Sequence, residues 1–91
     1  MLLFKNSLID FWERGFLDIE QAFGIVIKKY RLERSISQEN LAFGADLDRT
    51  FISLLERGKR KPTINTLFSI SQVLNIKPHK LVQEIETLLH Q

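Results

Sequence analysis

The chain has 91 residues, 44% of them apolar and 26% charged, which suits one small folded domain with a single core. With no cysteine it has no disulfide framework and no thiolate metal site, and no run is apolar enough to span a membrane. The net charge of +2 is uneven: residues 28–61 carry nine basic side chains against five acidic, whereas residues 1–27 carry two against four. The N-terminus lacks the charged start and small-residue cleavage site of a signal peptide, so a cytoplasmic protein is expected.

Residues 1–18 form an apolar extension ahead of a domain spanning 19–91. Phe4, Leu8, Phe11 and Trp12 share one helical face, and Gly15 is placed to end that helix. The segment reads as an extra helix packed on its own domain. The alternative is a dimer contact, because so aromatic a face would otherwise be an exposed patch. Asp18 and Gln21 then have the spacing of a capping box, opening a helix that runs to about Glu33. Ile19, Phe23, Val26, Ile27 and Tyr30 make its buried stripe, and Lys28, Lys29 and Arg34 stay in water. Arg31 lies at the edge of the stripe, where a buried ion pair could hold it.

Ser37 is a good N-cap for a short helix over about 38–45, with Leu41, Ala42 and Ala45 at helical spacing. Gly44 within it costs about 1 kcal/mol relative to Ala. Asp46 suits a left-handed turn, and Asp48 caps a second short helix over about 49–56. Its Ile52 and Leu55 face inward, while Arg49, Thr50 and Ser53 face out. Gly58 ends that helix, Lys59, Arg60 and Lys61 form a basic loop, and Pro62 stops any continuation. Thr63 caps a fourth helix with Ile64, Leu67, Phe68, Ile70 and Leu74 on its core side, and Asn75 closes it. Pro78 suits the first turn of a fifth helix carrying Leu81, Val82, Ile85, Leu88 and Leu89. No strand-like alternation appears, so the fold is expected to be all-α.

The stretch 37–58 is thus two short helices whose connection is too brief to let them lie side by side. The second has a small, polar outer face opening on an arginine, a shape that fits the major groove of DNA. The basic excess coincides with it, as a nucleic-acid footprint would. His79 and His90 are eleven apart with no close partner, which argues against a metal. No Ser/His/Asp set or Gly-rich phosphate loop appears, so no enzyme, cofactor or small-molecule ligand is expected.

The words SQENLA (37–42), LDRTFISLLERGKRKPT (47–63), TLFSISQVLNI (66–76) and HKLV (79–82) together resemble the Cro/CI-type (XRE) helix-turn-helix family of phage repressors and bacterial regulators. Within it, LDRTFIS is especially similar to restriction–modification controller proteins. The resemblance implies a five-helix, phage-repressor-like helix-turn-helix domain, here with an extra N-terminal apolar segment. It also implies roles for residues. Arg49 and Thr50 would read base edges, an arginine suiting guanine and a threonine methyl suiting thymine. Ser53 and Leu54 would face the groove one turn later, although Leu54 replaces a usual polar reader. Gln38, Arg57, Lys59, Arg60 and Lys61 would hold backbone phosphates. Phe51 stands at a phosphate-side position where relatives often place Tyr, so its hydroxyl bond is lost. Arg31 and Glu56 match a family pair that locks the first helix to the recognition helix. Asn40 replaces the usual Glu of the capping box and Asp46 the usual turn Gly.

The expected function is sequence-specific binding of double-stranded DNA by a homodimer on a pseudo-palindromic operator. Repression would follow from blocking the promoter, and activation from a contact with RNA polymerase. An antitoxin-like or coactivator-like protein-interaction module is the alternative.

Overall fold

The computed structural model describes residues 17–90. Five helices follow one another: α1 (Ile19–Glu33), α2 (Gln38–Gly44), α3 (Arg49–Glu56), α4 (Ile64–Leu74) and α5 (Pro78–Leu89). No strand occurs among the described residues, so the all-α, five-helix expectation holds there. The expected helix or dimer contact over residues 2–17 lies, apart from Leu17, outside the described residues. No described helix is long and apolar enough to cross a membrane.

Local side chains set the helix starts. At α1 the capping box is complete: Asp18 accepts from the Gln21 N–H at 2.8 Å and Gln21 from the Asp18 N–H at 3.0 Å. Ser37 Oγ accepts from the Asn40 N–H at 3.0 Å, and Thr63 Oγ1 from the Thr66 N–H at 3.1 Å. Asp48 departs from the expectation. It holds the N-cap position of α3 with extended backbone, but its carboxylate makes no capping bond.

The helix stops share one device. After each of α1 to α4 a backbone N–H reaches back five residues to a carbonyl: Ile36 to Arg31, Leu47 to Ala42, Lys59 to Leu54 and Ile76 to Ser71, at 2.8–3.0 Å. Each turn closes around a left-handed residue, namely Ser35, Asp46, Gly58 and Asn75, with φ between 55° and 72°. In three of the turns the next residue is apolar and packs against the core, as Ile36, Leu47 and Ile76 do. In the fourth it is Lys59, which is exposed. The turn that elsewhere adds to the core here sets out a cation.

α3 lies between α1 and α2, α2 also packs on α4, and α5 closes the far side against α1 and α4. Ile27, Leu41, Ile52, Leu55, Ile70, Leu74 and Leu81 are fully buried at its centre. Several expected core positions are not in it. Ile19, Ile64, Phe68 and Val82 are 52%, 66%, 56% and 46% exposed. Ile19 and Ile64 open their helices, where the chain has not yet turned under the core. Along α4 the buried stripe is rotated toward Thr66 and Ser71. Both can be buried because their hydroxyls are satisfied, Thr66 by Thr63 Oγ1 at 3.0 Å and Ser71 by the Phe68 carbonyl at 2.8 Å. Gly44 proves to be the last residue of α2 rather than an interior one. A Cβ there would stand 3.0 Å from Val73 Cγ2, so the missing side chain lets α4 come close.

Candidate nucleic-acid interface

α3 is an eight-residue helix, RTFISLLE, and its two faces divide cleanly. Ile52 and Leu55 are fully buried, whereas Arg49 and Thr50 are exposed. Ser53 and Leu54 are half-buried at the edge of the outer face. Phe51 is also half-buried and packs against the core. It has no polar group to offer a phosphate, so its place in the phosphate-side set is one of position alone.

The C-terminal end of α3 is fixed by one carboxylate. Arg31 Nε donates to Glu56 Oε2 at 2.5 Å and the guanidinium Nη2 to Oε1 at 3.0 Å, a two-pronged pair between α1 and α3. Nη1 of the same guanidinium donates to the Ile36 carbonyl at 2.9 Å, tying in the loop ahead of α2. Gln38 Nε2, at the first position of α2, donates to Glu56 Oε1 at 3.0 Å. The pair is 8% and 9% exposed, and no buried side-chain polar atom among the described residues lacks a partner. A buried pair of this kind is weak grounds for extra stability, but removing one member strands the other and is costly.

Gly24, which the sequence reading passed over, completes the clamp. A Cβ at this α1 position would lie 2.4 Å from the Leu55 carbonyl oxygen and 2.6 Å from that of Glu56. Only a glycine lets α1 touch the backbone of the last turn of α3. The signal was present: a glycine inside a well-formed helix, between the buried Phe23 and the buried stripe at Val26 and Ile27, marks a close approach. Gly58 plays a similar part just beyond α3, where a Cβ would stand 2.9 Å from Gln21 Cγ.

Beyond that end lie Arg57, Lys59, Arg60 and Lys61, all exposed. Arg57 Nε folds back onto the Ser53 carbonyl at 3.3 Å, which keeps its guanidinium beside the helix. Lys59, Arg60 and Lys61 line a shallow cleft with Gly58 and Glu20, whose one carboxylate offsets part of their charge. Among the described residues no group of His, Cys, Asp and Glu comes together as a metal site.

A short helix anchored at one end, presenting polar side chains at the other, and flanked by a turn helix and a cationic loop, defines a helix-turn-helix module. The chain belongs to the helix-turn-helix family, which its residues 27–81 match. It is 41% identical over 66 residues to the control protein C.BamHI of Bacillus amyloliquefaciens, covering 71% of this chain and 82% of that protein. It is 43% identical over 70 residues to the control protein C.MunI of a Mycoplasma species, covering 76% and 95%. Among solved structures, it resembles the restriction–modification controller protein C.Esp1396I, a tetramer in complex with its natural 35 base-pair operator. That match has a TM-score of 0.74 at 33% identity and covers 82% of this chain and 99% of that one. The resemblance to controller proteins read from LDRTFIS is thereby borne out.

Proposed function

We propose that this protein is a sequence-specific regulator of transcription that binds double-stranded DNA as a homodimer on a pseudo-palindromic operator. The observation that carries the reading is the division of α3: its last turn is locked into the fold, while Arg49 and Thr50 in its first turn are exposed. In this reading α3 lies in the major groove, with Arg49 on a guanine and Thr50 on a thymine methyl. Ser53 and Leu54 flank them. Gln38, Arg57, Lys59, Arg60 and Lys61 hold the phosphates on either side and set the register.

The operator-bound state of C.Esp1396I supports the choice of DNA as the partner. One module of this size covers little surface, so pairing two half-sites about 34 Å apart supplies both affinity and specificity. Occupying a promoter would repress, and activation would need a contact with RNA polymerase. The setting is the cytoplasm, where such promoters lie. The deciding experiment is selection of bound duplexes from a random DNA pool. A consensus with two symmetric half-sites is expected. The absence of any consensus would overturn the reading and leave a protein-interaction module in its place.

A further inference from the structure

The first turn of α1 and the basic loop after α3 are held face to face. Gly58, which opens the loop, lies so close to α1 that a Cβ there would stand 3.1 Å from Gln21 Cα and 3.3 Å from its nitrogen. The capping box of Asp18 and Gln21 fixes the α1 side of this contact. Between the two runs a cleft of about 330 Å³, lined by Glu20, Gly58, Lys59, Arg60 and Lys61. That is the volume of about ten waters at about 30 Å³ each, so a backbone phosphate fits. Glu20 is half-buried, whereas the three cations are exposed. An acidic residue in the first turn of a helix ordinarily serves the helix dipole, and Glu20 meets that rule. Its carboxylate also lines the cleft that would receive DNA, and there its sign opposes binding.

We propose that Glu20 is a brake on DNA binding, its carboxylate competing with backbone phosphate for Lys59, Arg60 and Lys61. The proposal rests on the DNA-binding reading above and adds to it a residue that sets binding strength. A phosphate entering the cleft has to replace an intramolecular counterion of the three cations. It also comes within a Debye length, about 8–10 Å, of a like charge. Such repulsion at a protein surface weakens binding about three- to tenfold at low salt. The carboxylate opposes the backbone and meets no base edge, so the brake acts on every sequence alike. Release from any site is then faster, while the preference set by the readers on α3 is kept.

The test uses Glu20→Gln, which removes the charge and keeps the shape, beside Glu20→Asp, which keeps the charge. Affinity is measured across a salt series for the duplex selected from the random pool and for a scrambled duplex of equal length. Glu20→Gln should bind both duplexes about three- to tenfold more tightly at low salt, with their ratio unchanged. Its salt slope should steepen by up to about one unit. Glu20→Asp should bind like the wild type. The melting temperature of Glu20→Gln should not rise, because α1 loses a partner for its dipole, so tighter binding is no by-product of a firmer fold. Unchanged affinity and slope in Glu20→Gln would leave Glu20 to the helix alone and overturn the proposal. Weaker binding would overturn it too, by showing that the carboxylate orders the cations for DNA. So would a gain confined to the selected duplex, or a Glu20→Asp protein that behaves like Glu20→Gln. A wild-type protein that failed to distinguish the two duplexes would overturn the regulator reading itself, and the brake would still be read on the scrambled one.

Discussion

The two ends of α3 are about 12 Å apart and are treated in opposite ways. At the C-terminal end Glu56 is buried and accepts three hydrogen bonds from two helices. There Gly24 brings α1 onto the backbone, and Gly58 sits against Gln21. At the N-terminal end Asp48 makes no capping bond and Arg49 and Thr50 stand in solvent. A side chain committed to the fold cannot also read a base, and a reader on a loose helix cannot read one accurately. Dividing the tasks between the ends meets both demands in eight residues. Stability should therefore respond to changes at one end and recognition to changes at the other.

The strongest test of that division is Arg31→Leu. It leaves Glu56 buried without its cation, and should cost about 3–5 kcal/mol of stability in a thermal or denaturant melt. An unchanged melt would show that the C-terminal end is not held by this pair. Gly24→Ala should come next. Alanine gains nearly 1 kcal/mol of helix propensity. Its Cβ nevertheless meets backbone carbonyls that cannot turn away, and overpacking of this sort costs about 1–3 kcal/mol. A stabilised Gly24→Ala protein would mean that α1 can back away from α3 without loss. At the other end, Arg49→Ala should leave the melt alone and weaken binding to the preferred site by about 1–3 kcal/mol, relaxing specificity at one position. Equal binding by variant and wild type would remove Arg49 from the readers.

Much of the helix framework is legible because its starts and stops are built from strong local rules. The Asp18–Gln21 box, the Ser37 and Thr63 caps and the left-handed Asp46, Gly58 and Asn75 follow from residue chemistry at fixed offsets. What escaped depends on neighbours distant in sequence. Gly24 matters only because the α3 backbone passes over it, and Gln38 meets Glu56 across 18 residues. Ser35 takes a left-handed turn that its residue type does not announce. Periodicity places apolar Ile64 and Phe68 in the core, yet Thr66 and Ser71 take the buried side because their hydroxyls find partners. Periodicity locates a stripe to within about a residue, and side-chain satisfaction decides its edge.

The smallest effect is the sharpest probe of the free end. N-cap residues usually contribute about 1 kcal/mol when their side chain accepts from the helix, so Ser37→Ala should lower stability by that order. Asp48 occupies the same position on α3 but accepts nothing from its backbone. Asp48→Ala should therefore change stability by no more than about 0.5 kcal/mol, as at an ordinary surface site. Paired melts of the two variants isolate the capping bond, because both replace an exposed N-cap side chain by a methyl group. A loss at Asp48 as large as that at Ser37 would mean that the carboxylate does cap α3 in solution. The first turn of α3 would then be held by its own side chains, and the difference between its two ends would be one of degree.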